Sequence, residues 1–170
     1  MRNVTRPGLA ELKEGQQKEM LEQHIPYRLS LLRDGFRPSW IQPCQHTNQA
    51  FEAGAISGRI LLSFLGIGYN NNSGRLTSDR EHKKYKGGLT DDVKAPDVGG
   101  HFVEVDNLAE PDKDTLAFFI QGVHKACAHF TIDSNHQLTL ENYAEAGAII
   151  FRLMAQSFPN HSSSWPKWSS

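Results

Sequence analysis

The stretch Thr115 to Phe130, TLAFFIQGVHKACAHF, gathers the side chains best able to do chemistry. His124, Lys125, Cys127 and His129 fall within six residues of one another. A histidine titrates near neutral pH and can act as a general base. An ammonium beside it can stabilise charge developing on a phosphate. That pairing suits metal-independent cleavage of RNA through attack of a 2′-hydroxyl, with His129, Lys125 and His124 as the candidate catalytic residues. The same residues also fit an inert solvated helix face, so whether the chain is an enzyme stays open at this point.

Spacing places these groups on different sides of one predicted helix. At about 100° per residue, Leu116, Phe119, Ile120, Val123, Cys127 and Phe130 share an apolar face. His124 lies on the border of that face, while Lys125 and His129 lie opposite it. Asp114 stands where an N-cap residue is expected. His124 and Cys127, at i and i+3, could each offer a metal a ligand, which makes a metal-dependent enzyme a third reading. Further ligands would have to come from His24, Cys44, His46, His101, Glu104 or Asp106. No Cys-x-x-Cys, His-Glu-x-x-His or Glu-x-x-His pattern joins them, so no metal and no cofactor is assigned.

HKACAH, from His124 to His129, carries a family resemblance. Set in a mostly helical chain of this size, it resembles the HEPN group of small helical domains, many of them dimeric ribonucleases or toxin partners. The motif of that group is an arginine, often followed by a polar residue, with a histidine four to six residues on. Here His124 stands in the arginine's place, Lys125 in the polar position and His129 as the motif histidine. The resemblance implies an RNA-directed, self-associating domain. Loss of the arginine leaves a binding-only member and an enzyme as alternatives.

The elements that must position these residues read as helices separated by one polar insertion. Leu9 to Gly35 has an imperfect apolar stripe, and Pro26 is expected to kink or restart the helix, with Gly35 as its stop. A second long helix runs from about His46 to Leu65, with Ala50, Gly54 and Gly58 on one side. Glycine costs roughly 1 kcal/mol relative to alanine inside a helix, so this row predicts the close approach of another helix. Residues 66–114 are polar, with a basic cluster (Arg75, Arg80, Lys83, Lys84, Lys86) and then an acidic run. One strand is expected there, over His101 to Asp106. A last helix spans about Leu140 to Phe158, and Pro159 ends it. The tail, 159–170, carries Trp165 and Trp168, which are expected to dock on the domain or on a partner.

One internal match stands out. Glu52 to Leu61 reads EAGAISGRIL and Glu145 to Met154 reads EAGAIIFRLM, identical at six of ten positions and 93 residues apart. Each copy carries an arginine, Arg59 and Arg152. If the two helices pack antiparallel through their small residues, Glu52 meets Arg152 and Glu145 meets Arg59. The rival expectation is that Arg59 and Arg152 face a cleft and bind an anionic ligand.

Composition bounds the rest. A chain of 170 residues with 38% apolar and 22% charged content suits one globular domain. The net charge of −1 sets up no general attraction to nucleic acid or anionic membrane. Its start lacks the apolar core of a signal peptide, and its longest apolar run, from Ile60 to Ile67, is too short for a membrane span. With two cysteines, a reducing cytoplasm is the expected setting. The reading is therefore a single all-α domain, residues 1–170, a bundle of four to five helices with a long polar insertion between the second and third main helices. Its leading function is a cytoplasmic, self-associating binding module, with RNA as a partner if the resemblance holds.

Overall fold

Pro26 has no N–H, and the chain answers that loss with a change of helical pitch rather than a break. In the computed structural model, which describes residues 12–35, 45–78, 93–127 and 140–168, helix α1 (Glu14–Glu19) passes into a π turn (Met20–His24) and on into α2 (Ile25–Gly35). The Ile25 amide bonds the Met20 carbonyl five residues back. The next donor in that register, for the Leu21 carbonyl, would be the amide of residue 26, which proline lacks. The indole N–H of Trp165 fills the position, donating to the Leu21 carbonyl at 3.1 Å. The helix type changes where a kink or restart is expected, from the π turn to α2 at Ile25, and the tail docks on the carbonyl that Pro26 orphans.

The second long helix, α3 (Gln45–Phe64), runs antiparallel to α2. Its small-residue row does meet another helix, as expected. A Cβ on Gly35 would sit 2.6 Å from the Ala50 carbonyl oxygen and 2.9 Å from Gly54 Cα. One on Gly54 would sit 3.0 Å from both Gly35 Cα and the Leu31 carbonyl oxygen. Gly35, the last residue of α2, is therefore also a helical contact residue. Farther along, Gly58 admits the side chains of Leu32 and Phe119.

Two further helices, α4 (Glu110–Cys127) and α5 (Leu140–Ser157), complete a mostly helical chain. α4 starts four residues before the expected Asp114 cap. Pro111 suits the first helical turn, where its missing amide has no intrahelical partner in any case. The Lys113 ammonium donates to Glu110 Oε1 at 2.7 Å and holds that carboxyl below its usual pKa. Leu116, Phe119, Ile120 and Val123 are all buried, as the periodicity requires. Tyr143 takes Phe51 and Phe119 edge-on, at centroid distances of 4.5 Å and 5.1 Å.

Ring contacts fix the direction of α5 against α3. Phe51 meets Tyr143 near the N-terminal ends of both helices, and Phe64 stacks on Phe158 at 5.8 Å at their C-terminal ends. The two helices are parallel, so the antiparallel arrangement and its crossed Glu–Arg pairs do not form. Their register is nevertheless that of the internal match. A shift of 93 residues lays α5, 140–157, on 47–64 within α3. The same shift lays α4, 110–127, on 17–34 within the α1–α2 rod.

The described parts of the 66–114 segment, 66–78 and 93–114, carry turns and a hairpin beyond the one expected strand. Gly66, at φ +82°, turns the chain out of α3 into a hairpin of β1 (Ile67–Asn70) and β2 (Arg75–Ser78). Asn70 Oδ1 accepts the Asn72 amide at 2.9 Å and the Ser73 amide at 3.3 Å, and so shapes the loop. The expected strand at His101–Asp106 is not in a sheet. It is an extended run followed by a 3-10 turn (Val105–Asn107). Among the described residues no sheet edge receives it. The Val103 amide bonds the Leu65 carbonyl at 3.0 Å, and Ser157 Oγ bonds both the amide and the carbonyl of His101. The tail closes the fold, with Trp165 on Phe158 and Trp168 on Phe151. No helix among the described residues is long and apolar enough to cross a membrane.

Two stability measurements check this account. Gly35→Ala and Gly54→Ala gain helix propensity but overpack a backbone contact, and each is expected to cost roughly 1–3 kcal/mol in urea unfolding. Gly15→Ala, with nothing within 4 Å of its Cβ, is expected to be neutral or to stabilise by up to about 1 kcal/mol. A stabilised Gly54→Ala variant would contradict the contact. Trp165→Phe keeps an aromatic ring but loses the indole donor and some buried surface, at an expected cost of about 1–3 kcal/mol. In a Pro26→Ala background, which restores an amide for Leu21, that cost should shrink. An equal cost in both backgrounds would contradict the role given to Trp165.

Candidate functional site

The stripe Met20, His24 and Arg28 faces the stripe Ile56, Arg59, Ile60 and Ser63 across a cleft of about 650 Å³. Both sets recur at the three-to-four-residue spacing that aligns side chains on one helix face. The glycine contact at Gly35 and Gly54 pins α2 to α3 at one end. The cleft lies at the other, between the π turn and the last two turns of α3. Ile25, Leu61, Phe64 and Val123 line its apolar interior, and Val93 and Lys94 close one side. Its volume falls within the range of small-molecule sites, and much of its boundary is open to solvent. Ile56 is 43% exposed and Ile60 is 41% exposed, unusually open for isoleucines in an ordered helix.

Among the described residues, every titratable group lining the cleft is a histidine or a cation: His24, Arg28, Arg59 and Lys94. Their roles differ. Lys94 Nζ donates to the Ser63 carbonyl at 2.8 Å and to Ser63 Oγ at the same distance, and so caps the C-terminal end of α3. His24 Nε2 lies 3.4 Å from Glu19 Oε1. Arg28 is half-buried, with its guanidinium 5.8 Å from the Tyr27 ring centroid. Among the described residues neither Arg28 nor Arg59 has a carboxylate within 4.0 Å.

The candidates read from the sequence separate in space. Arg59 lines the cleft. Arg152 does not, because its guanidinium donates to Asp112 Oδ2 at 2.5 Å and ties α5 to the first turn of α4. With the arginine side chain half exposed, that pair contributes at most about 1 kcal/mol. His124 is half-buried on α4 and already engaged by a neighbour. The side chains of Lys125, Cys127 and His46, and all of His129 and Cys44, lie outside the described residues. So do Arg80, Lys83, Lys84 and Lys86 of the basic cluster. Among the described residues, no three His, Cys, Asp or Glu side chains converge as a metal site would require.

Sequence reasoning missed the cleft itself. Its residues come from segments read separately, mainly the α1–α2 rod and α3 with Val93, Lys94 and Val123, and Ile56 and Ile60 look like ordinary core positions. The available signal was Pro26, because a proline inside an otherwise continuous helical stripe can mark a π turn, and such turns often sit at functional sites. No family model, no curated protein and no solved structure matches this chain.

Proposed function

We propose that this chain is a helical bundle whose four helical rods form a binding module, with the cleft between the α1–α2 rod and α3 as its site. The observation that carries the reading is the pair of exposed isoleucines facing Met20 across a preformed apolar hollow. Exposed aliphatic surface in an ordered cleft gains by being covered, at roughly 25 cal/mol per Å² of apolar area removed from water. A ligand also needs few ordered loops here, since both long walls are helical and pre-organised. Tyr27, Ile56 and Ile60 are in addition the apolar groups on which self-association would draw.

The ribonuclease reading centred on His129 makes a different demand, RNA cleavage that disappears in His129→Ala. The cleft reading demands none. Its direct test uses the neutral apolar fluorophore N-phenyl-1-naphthylamine. We expect a saturable one-to-one fluorescence rise, with affinity lowered about tenfold or more by Ile60→Glu, which places a charge on the cleft wall. Ile60 is exposed enough for the variant to fold. A fluorophore signal that never saturates, or one unchanged by Ile60→Glu, would remove the cleft as a binding site.

A further inference from the structure

The internal repeat supplies a comparison that the chain makes with itself. Arg59 and Arg152 occupy equivalent positions in the matched segments, 93 residues apart, on helices that lie parallel and in register. In the second half the arginine is neutralised within the fold by Asp112 on α4. The same shift carries Asp112 to Glu19 in the first half. There the acid faces His24, and Arg59 is left at the cleft with no carboxylate among the described residues. One half has an internal salt bridge where the other has an open cation.

Arg28 adds a second cation from the opposite wall. It is half-buried, so part of its hydration is lost, and its charge-compensating neighbour among the described residues is the Tyr27 ring. A partly desolvated guanidinium gains most from an anion that can take two of its N–H groups at once. The chain as a whole is slightly acidic, so a lining with three cations and no carboxylate among the described residues is a local feature and not a reflection of composition. Lys94 is committed to Ser63, which leaves the two arginines to meet an incoming charge.

Resting on the cleft reading above, we infer that the ligand is a single-chain amphiphile with an anionic head. Its carboxylate or phosphate sits between Arg28 and Arg59, and its aliphatic chain lies along Ile56, Ile60 and Met20. Carboxylate and phosphate heads share the chemistry that a guanidinium recognises, and the apolar wall accounts for the tail. No bond is made or broken in this event. The head meets two guanidiniums that have no carboxylate partner among the described residues, and the tail meets exposed aliphatic side chains.

The test compares decanoate, 1-decanol and decyltrimethylammonium, three ligands with the same chain and different heads, by isothermal titration calorimetry below their micellar range. Decanoate is expected to bind at least about tenfold more tightly than decanol, and the cationic amphiphile more weakly than either. Arg59→Gln should bring decanoate down to the level of decanol and leave decanol unchanged. Arg152→Gln, at the matched but closed position, should leave all three affinities as they are. Equal binding of decanoate and decanol, or a decanoate preference that survives both Arg59→Gln and Arg28→Gln, would overturn the anionic head while leaving the apolar cleft in place. Binding of none of the three would overturn the cleft reading itself, and this inference with it. A decyl phosphate arm that outcompetes decanoate would keep the inference and name phosphate as the preferred head.

Discussion

The contact between Gly35 and Gly54 decides how the first two rods of this chain can meet. With no Cβ on either side, backbone touches backbone, and the helices are fixed at one end at a separation no larger residue would permit. Toward the other end the facing residues are larger, and Met20, Arg28, Ile56 and Ile60 line a hollow there. What a uniform interface would have packed shut becomes a hollow. Small residues lie at one end of this helix pair and large ones at the other, and the loop residues Val93 and Lys94 close one side of the hollow.

Pro26 acts on the same structure from the cleft side. Its missing amide is absorbed by the π turn Met20–His24, whose two end residues line the cleft wall. That turn leaves the Leu21 carbonyl without a helical donor, and Trp165 supplies one from the far end of the chain. Trp165 in turn packs on Phe158, which stacks on Phe64 at the end of α3. The tail is thus joined both to the rod that carries one wall of the cleft and to the end of the helix that carries the other. A local defect in hydrogen bonding and the placement of the C-terminal tail are one arrangement.

Much of the helical content was legible in the sequence, and the reasons are local. The buried stripe of α4 and the extent of α5 follow from periodicity alone, and the glycine row of α3 announced a close neighbour. What was not legible depends on contacts between distant segments. The partner of that row is α2 and not α5, and no pattern within α3 distinguishes the two. The expected strand at His101–Asp106 has the alternation of a strand but no edge to join among the described residues, so Ser157 and Leu65 hold it instead. Arg59 and Arg152 look alike in sequence, since the difference between them lies in Asp112, forty residues from Arg152 and close to it only in the fold. The repeat was visible, but its direction was not. Two identical Glu–Arg spacings are compatible with crossed pairs or with a parallel register, and the aromatic pairs at the two ends of α3 decide for the second.

The central claim is that the hollow between the α1–α2 rod and α3 receives an amphiphile in one orientation. Intermolecular nuclear Overhauser effects between protonated decanoate and the isotope-labelled chain measure that placement directly. The account predicts cross-peaks from the acyl chain to the methyl groups of Ile56, Ile60 and Met20, with the Arg59 side-chain N–H resonance shifting as the head arrives. Cross-peaks confined to residues outside the cleft, or an Arg59 resonance unmoved at saturation, would contradict it.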